Sequence, residues 1–238
     1  MADKKNKKKK GSKSDVQLLT ENSPWQVQEA YKALRTNITF SLPGKDSKIV
    51  AVSSAFSHDG KSINAINHAI SFGQIDKKVL LIDCDLRLPT CAAKLDIPAT
   101  PGLSDLLVGE AKVTDCVKHL EQYKIDILPS GNIPPDPTWL LQSTQMELLL
   151  KEFRKYYDYI VIDLPPVTTV ADASIVAKYV DGFLLVVRHE VTDYRAIADM
   201  LGQLRMAEAK ILGFIYNDAS TGDGRYYRNY YYKNYYAK

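Results

Sequence analysis

Short apolar runs recur along the chain, each bounded by charged or turn-forming residues: KIVAVSS at 48–54, KKVLLIDCDLRLPT at 77–90, YKIDILPSG at 123–131, DYIVIDLPPV at 158–167, GFLLVVR at 182–188 and KILGFIYND at 210–218. Their length and β-branched content read as strands, and continuous apolar runs mark strands buried on both faces. Between them lie segments with apolar residues at helical spacing. In SPWQVQEAYKALRTNITFSL, Val27, Tyr31, Leu34 and Ile38 form a stripe, with Ser23 placed to cap and Pro24 suited to a first turn. KSINAINHAISFG carries Ile63, Ile66 and Ile70, and GLSDLLVG is a short helical piece. TWLLQSTQMELLLKEFRKYY reads as one helix with basic residues near its end, and another runs from Asp193 to Ala207. Strands alternating with helices predict an α/β fold: a mostly parallel sheet with helices on both faces. Ligands on such sheets sit beyond the carboxyl ends of the strands.

One junction between a strand and a helix carries chemistry. SSAFSHDGKS, residues 53–62, ends as a phosphate-binding loop ends, in Gly60, Lys61 and Ser62. In the pattern G-x-x-x-x-G-K-[ST], backbone N–H groups converge on phosphate oxygens, the lysine reaches the outer phosphates, and the hydroxyl meets Mg²⁺. The match is partial, because Ala55 stands at the first glycine, and Ser57 and His58 replace residues that set such turns. If His58 needs positive φ, the cost is about 1–2 kcal/mol, and nucleotide binding is expected to be weakened rather than abolished. Ser57, His58, Asp59, Gly60, Lys61, Ser62 and Ile63 are the candidate nucleotide-binding residues. A helix starting at Lys61 would aim its unpaired N–H groups at a bound anion.

Two further strands end in carboxylates that would share this edge: Asp83 and Asp85, followed by Arg87, and Asp163, followed by Leu164-Pro165-Pro166. A magnesium nucleotide wants this mixture, since Mg²⁺ keeps several waters and takes one or two carboxylates besides phosphate oxygens. Each motif alone is weak; in order behind G-K-S they point to MgATP and phosphoryl transfer.

Composition narrows the class. At 238 residues and 45% apolar, the chain suits one α/β domain. Cys84, Cys91 and Cys116 lack C-x-x-C spacing, so neither a disulfide framework nor a zinc site is suggested, and a reducing cytoplasm fits. No apolar run reaches the length of a membrane span. Net charge is only +3, but KKNKKKKGSK loads the N-terminus with lysine. Residues 1–15 are therefore expected to be a flexible basic tail, with three readings left open: attraction to an anionic membrane, contact with nucleic acid, or a solvated tail that aids solubility.

The other end is rich in phenols. GRYYRNYYYKNYYAK holds Tyr226, Tyr227, Tyr230, Tyr231, Tyr232, Tyr235 and Tyr236, in a chain with 15 tyrosines in all. No alternation would bury one face of this run, so 219–238 is expected to be a flexible tail beyond a folded domain at 16–218. Exposed tyrosines suit a phosphoryl acceptor, each phosphate adding roughly −1.5 to −2 charges. The rival, stacking on single-stranded nucleic acid, gives way once the loop and carboxylates are counted, and nucleic acid is not an expected partner.

Taken together, SSAFSHDGKS, VLLIDCDLR and YIVIDLPP resemble the Walker A, A′ and B motifs of bacterial tyrosine kinases of capsular and exopolysaccharide synthesis. The resemblance runs from EAYKALRTNI to the tyrosine-rich end. It implies the P-loop NTPase fold, shared with partitioning and division-site ATPases. Those relatives have a further lysine early in the loop, which this sequence lacks between Ala55 and Gly60. It also implies ATP and Mg²⁺ as cofactors, Lys61 on phosphates, Ser62 on the metal, Asp163 holding metal through water, and Asp83 and Asp85 in metal binding and catalysis, Asp83 as base. Arg87 is carried over as a nucleotide contact. Family loops usually read proline-glycine at Ser57-His58. Glu29, Lys32 and Arg35 fall on a family E-x-x-R-x-x-R helix that closes a ring of subunits; lysine at the middle position loses the planar fork of arginine. The implied partners are a transmembrane activator with a cytoplasmic tail, other copies of the chain in that ring, and a cognate tyrosine phosphatase. The implied location is cytoplasmic, at the inner face of the membrane. Two alternatives remain open at the level of sequence: an ATPase switch of the division-site type, and a catalytically impaired scaffold.

Overall fold

The computed structural model describes residues 18–219. The basic N-terminal run and the seven C-terminal tyrosines lie outside the described residues. Helix α1 (Trp25–Ser41) leads into β1 (Lys48–Ser54), the loop, and α2 (Lys61–Gly73). There follow β2 (Val79–Asp83), the short helices α3 (Cys91–Lys94), α4 (Leu103–Leu107) and α5 (Val113–Cys116), then β3 (Lys118–Leu120) and β4 (Ile125–Leu128). The last third comprises α6 (Pro137–Leu141), α7 (Thr144–Phe153), β5 (Tyr159–Asp163), α8 (Asp172–Val176), β6 (Gly182–Arg188), α9 (Tyr194–Met206) and β7 (Ile211–Asn217).

The sheet order is β3-β4-β2-β5-β1-β6-β7, parallel throughout except for β3 on β4. Successive residues of each inner strand feed opposite cores, as the two-residue period of a strand requires. Ile49, Ala51, Leu80, Ile82, Ile160 and Ile162 face the layer of α6, α7, α8 and α9. Val50, Val52, Val79, Leu81 and Val161 face the layer of α1 and α2. The register sets Val52 and Asp83 each opposite Asp163, so the ends of β1, β2 and β5 lie level along one edge.

Local chemistry departs from the sequence expectation in particular places. The helix expected over 138–157 is two helices, because Ser143 caps a new start, its Oγ accepting from Met146 N at 3.2 Å. Ser23 does not cap α1; its hydroxyl instead accepts from Thr20 N at 3.0 Å. The stripe on α1 holds, with Ile38 buried and Val27, Tyr31 and Leu34 packed on the same cluster.

Candidate active site

The 53–62 loop is a wound turn before α2. Gly60 has φ +95° and His58 φ +67°, so both stand in the left-handed region. Gly60 has no room for a side chain: a Cβ there would lie 2.2 Å from Nδ2 of Asn217. Asn217, the last residue of β7, donates from that nitrogen to the Asp59 carbonyl at 2.9 Å. Asn64, one turn into α2, donates to the Gly60 carbonyl at 2.9 Å and accepts from the Tyr31 hydroxyl at 2.9 Å, which ties the loop to α1. Asp59 is fully buried and its Oδ2 accepts from Phe56 N at 2.9 Å. Outside the turn, Arg188 donates to the His58 carbonyl at 3.3 Å and pairs with Asp218. Ser57 and His58 are exposed and Ile63 half-buried.

Behind the loop, four charged groups share a nearly dry crevice. Lys61 Nζ lies 2.7 Å from Asp85 Oδ2, 3.9 Å from Asp163 Oδ1 and 3.4 Å from Ser62 Oγ. Asp83 accepts from Asp85 N at 3.2 Å and from Cys91 N at 3.0 Å. The Cys91 thiol donates to Asp163 Oδ2 at 3.4 Å. Asp163 Oδ1 is buried and accepts no hydrogen bond.

Crowding carboxylates in a dry place makes ionisation costly. Burial, then the charge of Asp163, pushes the Asp83 carboxyl up to about 7, against the pull of the Cys91 N–H. Asp163 is raised for the same first reason, burial, with Lys61 opposing. For Lys61, burial pulls the ammonium down, but the charges of Asp163 and Asp85 outweigh it and the net shift is upward. Three carboxylates crowd a single ammonium, and one oxygen, Asp163 Oδ1, accepts no hydrogen bond. That donor set fits a divalent cation, and the N–H groups that open the 13-residue α2 behind a Gly60 turn at φ +95° fit phosphate.

The structure brings Lys61, Ser62, Asp83, Asp85 and Asp163 together as the sequence reading placed them. Arg87 turns elsewhere: its guanidinium donates to both oxygens of the buried Asp172, at 3.0 and 3.2 Å, and to Thr138 at 2.9 Å. On α1, Lys32 pairs with Glu29 at 2.7 Å on the surface, while Arg35 donates to the Ser71 carbonyl of α2. Cys91, Asn64, Asn217 and Asp172 were missed. They reach the site from distant segments, and only the asparagine closing an apolar strand run left a local signal.

Residues 47–211 match the AAA domain family. Over 225 residues, 94% of this chain and 95% of the relative, the sequence is 35% identical to the tyrosine-protein kinase YwqD of Bacillus subtilis (strain 168). The chain belongs to the bacterial tyrosine-protein kinases. Among solved structures, the kinase domain of the Escherichia coli tyrosine kinase ETK superposes with TM-score 0.77 at 30% identity, over 82% of this chain and 78% of that one. The septum site-determining protein MinD of Pyrococcus horikoshii, complexed with Mg-ADP, shares the fold at TM-score 0.60 and 24% identity, over 71% of this chain and 70% of that one. The sheet is thus a P-loop NTPase sheet, and this tyrosine-protein kinase carries its lysine and carboxylates at the edge where such sheets hold ligands. Among the described residues, no helix is long and apolar enough to cross a membrane.

Proposed function

We propose that this tyrosine kinase uses MgATP and takes as its first acceptor its own C-terminal tyrosine cluster, presented by a neighbouring copy. The observation that carries the reading is the buried meeting of Lys61, Asp83, Asp85 and Asp163 beneath a glycine turn, in a chain whose sequence continues past β7 into seven tyrosines. Ser62, Asp83 and, through water, Asp163 would hold Mg²⁺, which when bound neutralises charge on the transferring phosphate. Lys61 exchanges its longer contact with Asp163 for phosphate oxygens. Main-chain N–H groups at the start of α2 cradle the remaining phosphates. Asp83 accepts the phenol proton as the hydroxyl oxygen attacks the γ-phosphorus and the bond to the bridging oxygen of ADP breaks. Tyrosine ionises near pH 10 in water, so a carboxylate within hydrogen-bond reach is what neutral pH requires. Asp85 keeps Lys61 in place by its ion pair.

The exposed face of α1, with Glu29 and Lys32, is the proposed contact between copies, and Tyr31 on the same helix links that contact to the loop through Asn64. A phosphorylated row of tyrosines would repel its equivalents and loosen such an assembly. A membrane-anchored activator would recruit the kinase to the inner face of the membrane, a tyrosine phosphatase would reset it, and the output would be control of capsular or exopolysaccharide synthesis and export.

Incubation with γ-labelled ATP and Mg²⁺, with and without an activator fragment, tests the reading. Label in the C-terminal peptide, lost in Asp83→Ala, is the expected result. Free phosphate without peptide label would instead identify an ATPase switch, and neither product would identify a scaffold.

A further inference from the structure

The pocket behind the loop contains one ligand that magnesium does not use. Cys91 Sγ, one oxygen of Asp83 and one of Asp163 all lie within 4.8 Å of one another, and all three residues are buried. The thiol already touches Asp163, and Cys91 N–H fixes Asp83, so the start of α3 holds sulfur and both carboxylates in one small volume. A second observation points inward: Asp163 Oδ1, on a fully buried side chain, accepts no hydrogen bond and has Lys61 Nζ only at 3.9 Å. Hard Mg²⁺ takes oxygen and keeps its water, whereas a thiolate beside two carboxylates suits a thiophilic divalent ion. Three protein ligands is also the count that zinc takes at reactive sites, where a non-protein ligand completes the four.

We propose that Cys91, Asp83 and Asp163 form a site for a thiophilic divalent cation, Zn²⁺ in the first instance, that competes with magnesium and silences the kinase. On coordination the thiol proton leaves to solvent and a sulfur lone pair forms the metal bond; nothing is oxidised or reduced. Zinc so held takes one oxygen of each carboxylate and displaces Mg²⁺ from Asp83 and Asp163, leaving the transferring phosphate without its cation. The inhibition rests on the roles proposed above for Asp83 and Asp163; the binding does not.

The test uses the full chain, free of nucleotide. Titration with Co²⁺ should raise a thiolate-to-cobalt charge-transfer band in the near ultraviolet, present in Cys116→Ser and lost in both Cys91→Ser and Cys91→Ala. Calorimetry should show Zn²⁺ affinity falling in the Cys91 variants by more than the roughly 10–100-fold typical of an outer-shell change. X-ray absorption of the zinc-loaded wild type, which needs no variant to fold, should show a sulfur neighbour at about 2.3 Å. No cobalt band in the wild type, a band surviving in Cys91→Ser, or no sulfur around zinc would overturn the proposal. Tail labelling with MgATP is measured on the same preparations. A cobalt band without labelling sinks the kinase roles and leaves the metal site standing; labelling without a band sinks the metal site alone. Where both hold, added Zn²⁺ should depress labelling in the wild type and do so less, relative to its own magnesium-only rate, in Cys91→Ser.

Discussion

Nδ2 of Asn217 hydrogen-bonds the Asp59 carbonyl at 2.9 Å and stands only 2.2 Å from where a Cβ on Gly60 would project. The end of β7 therefore clamps the phosphate loop and leaves no space for any residue but glycine at its turn. Asn217→Ala, losing one neutral hydrogen bond of about 1 kcal/mol, should weaken MgATP binding roughly 5-fold with the fold intact. Gly60→Ala should weaken binding roughly 5–30-fold, from about 1–2 kcal/mol of strain at φ +95°, and adding Asn217→Ala should not restore it. Fluorescent-nucleotide titration decides; full rescue in the double variant would show that space alone mattered.

His58 sits at φ +67° and is exposed. A non-glycine residue there costs about 1–2 kcal/mol, partly offset by the chain entropy that glycine adds to the unfolded state. His58→Gly should raise thermal stability slightly and tighten nucleotide binding, read by melting curves with and without MgATP. Looser binding in the variant would mean that the imidazole itself contributes.

The Asp83 carboxyl, at about 7 in the folded protein against the usual 3.8, gives a signed pH dependence. Between those values the native state binds more protons than the unfolded one, so this group's contribution to stability is full below pH 4 and is lost as pH rises through 7. Without metal, the wild type should lose stability from this source between pH 4 and 7. Asp83→Asn should flatten the slope and melt higher at pH 8, by about 2–4 °C per kcal/mol regained. A slope unchanged in the variant would move the titration to another group.

Arg87→Ala separates two uses of that residue. Asp172 is fully buried and would be left charged with only Thr138 as a side-chain partner, so the variant should lose up to about 3 kcal/mol of stability. Because the guanidinium is engaged with Asp172, MgATP affinity of the folded fraction should change little. A large affinity loss at unchanged stability, read by denaturant melts beside nucleotide titration, would restore Arg87 to the nucleotide.

The sheet was legible because buried strands write themselves as apolar runs, and the aspartates end those runs. Lys61, Asp83 and Asp163 could be brought together on paper since parallel strands in register deliver their ends to one edge. Cys91 and Asp172 could not, since each depends on how a short helix folds back across the edge, while Asn64 and Asn217 read as ordinary helix and strand-end positions until their contacts with the loop are seen. The antiparallel β3 is three residues long with an exposed center, too short for a period to show. The break between α6 and α7 was signalled only by the polar trio Gln142-Ser143-Thr144, which an otherwise continuous helical spacing outweighed.

Because β7 runs parallel to β6, the chain departs from the sheet at the same rim where Lys61 and the aspartates open. From Asn217 to Tyr226 is nine residues, a leash of at most about 30 Å. Under the proposed function, the candidate acceptors follow in sequence from a strand end beside the candidate site of the same copy, so labelling within a copy and labelling between copies differ only in whose site the tyrosines reach. Dilution tells them apart: a label rate per molecule that falls on dilution belongs to neighbours, and one that does not belongs to a molecule feeding itself.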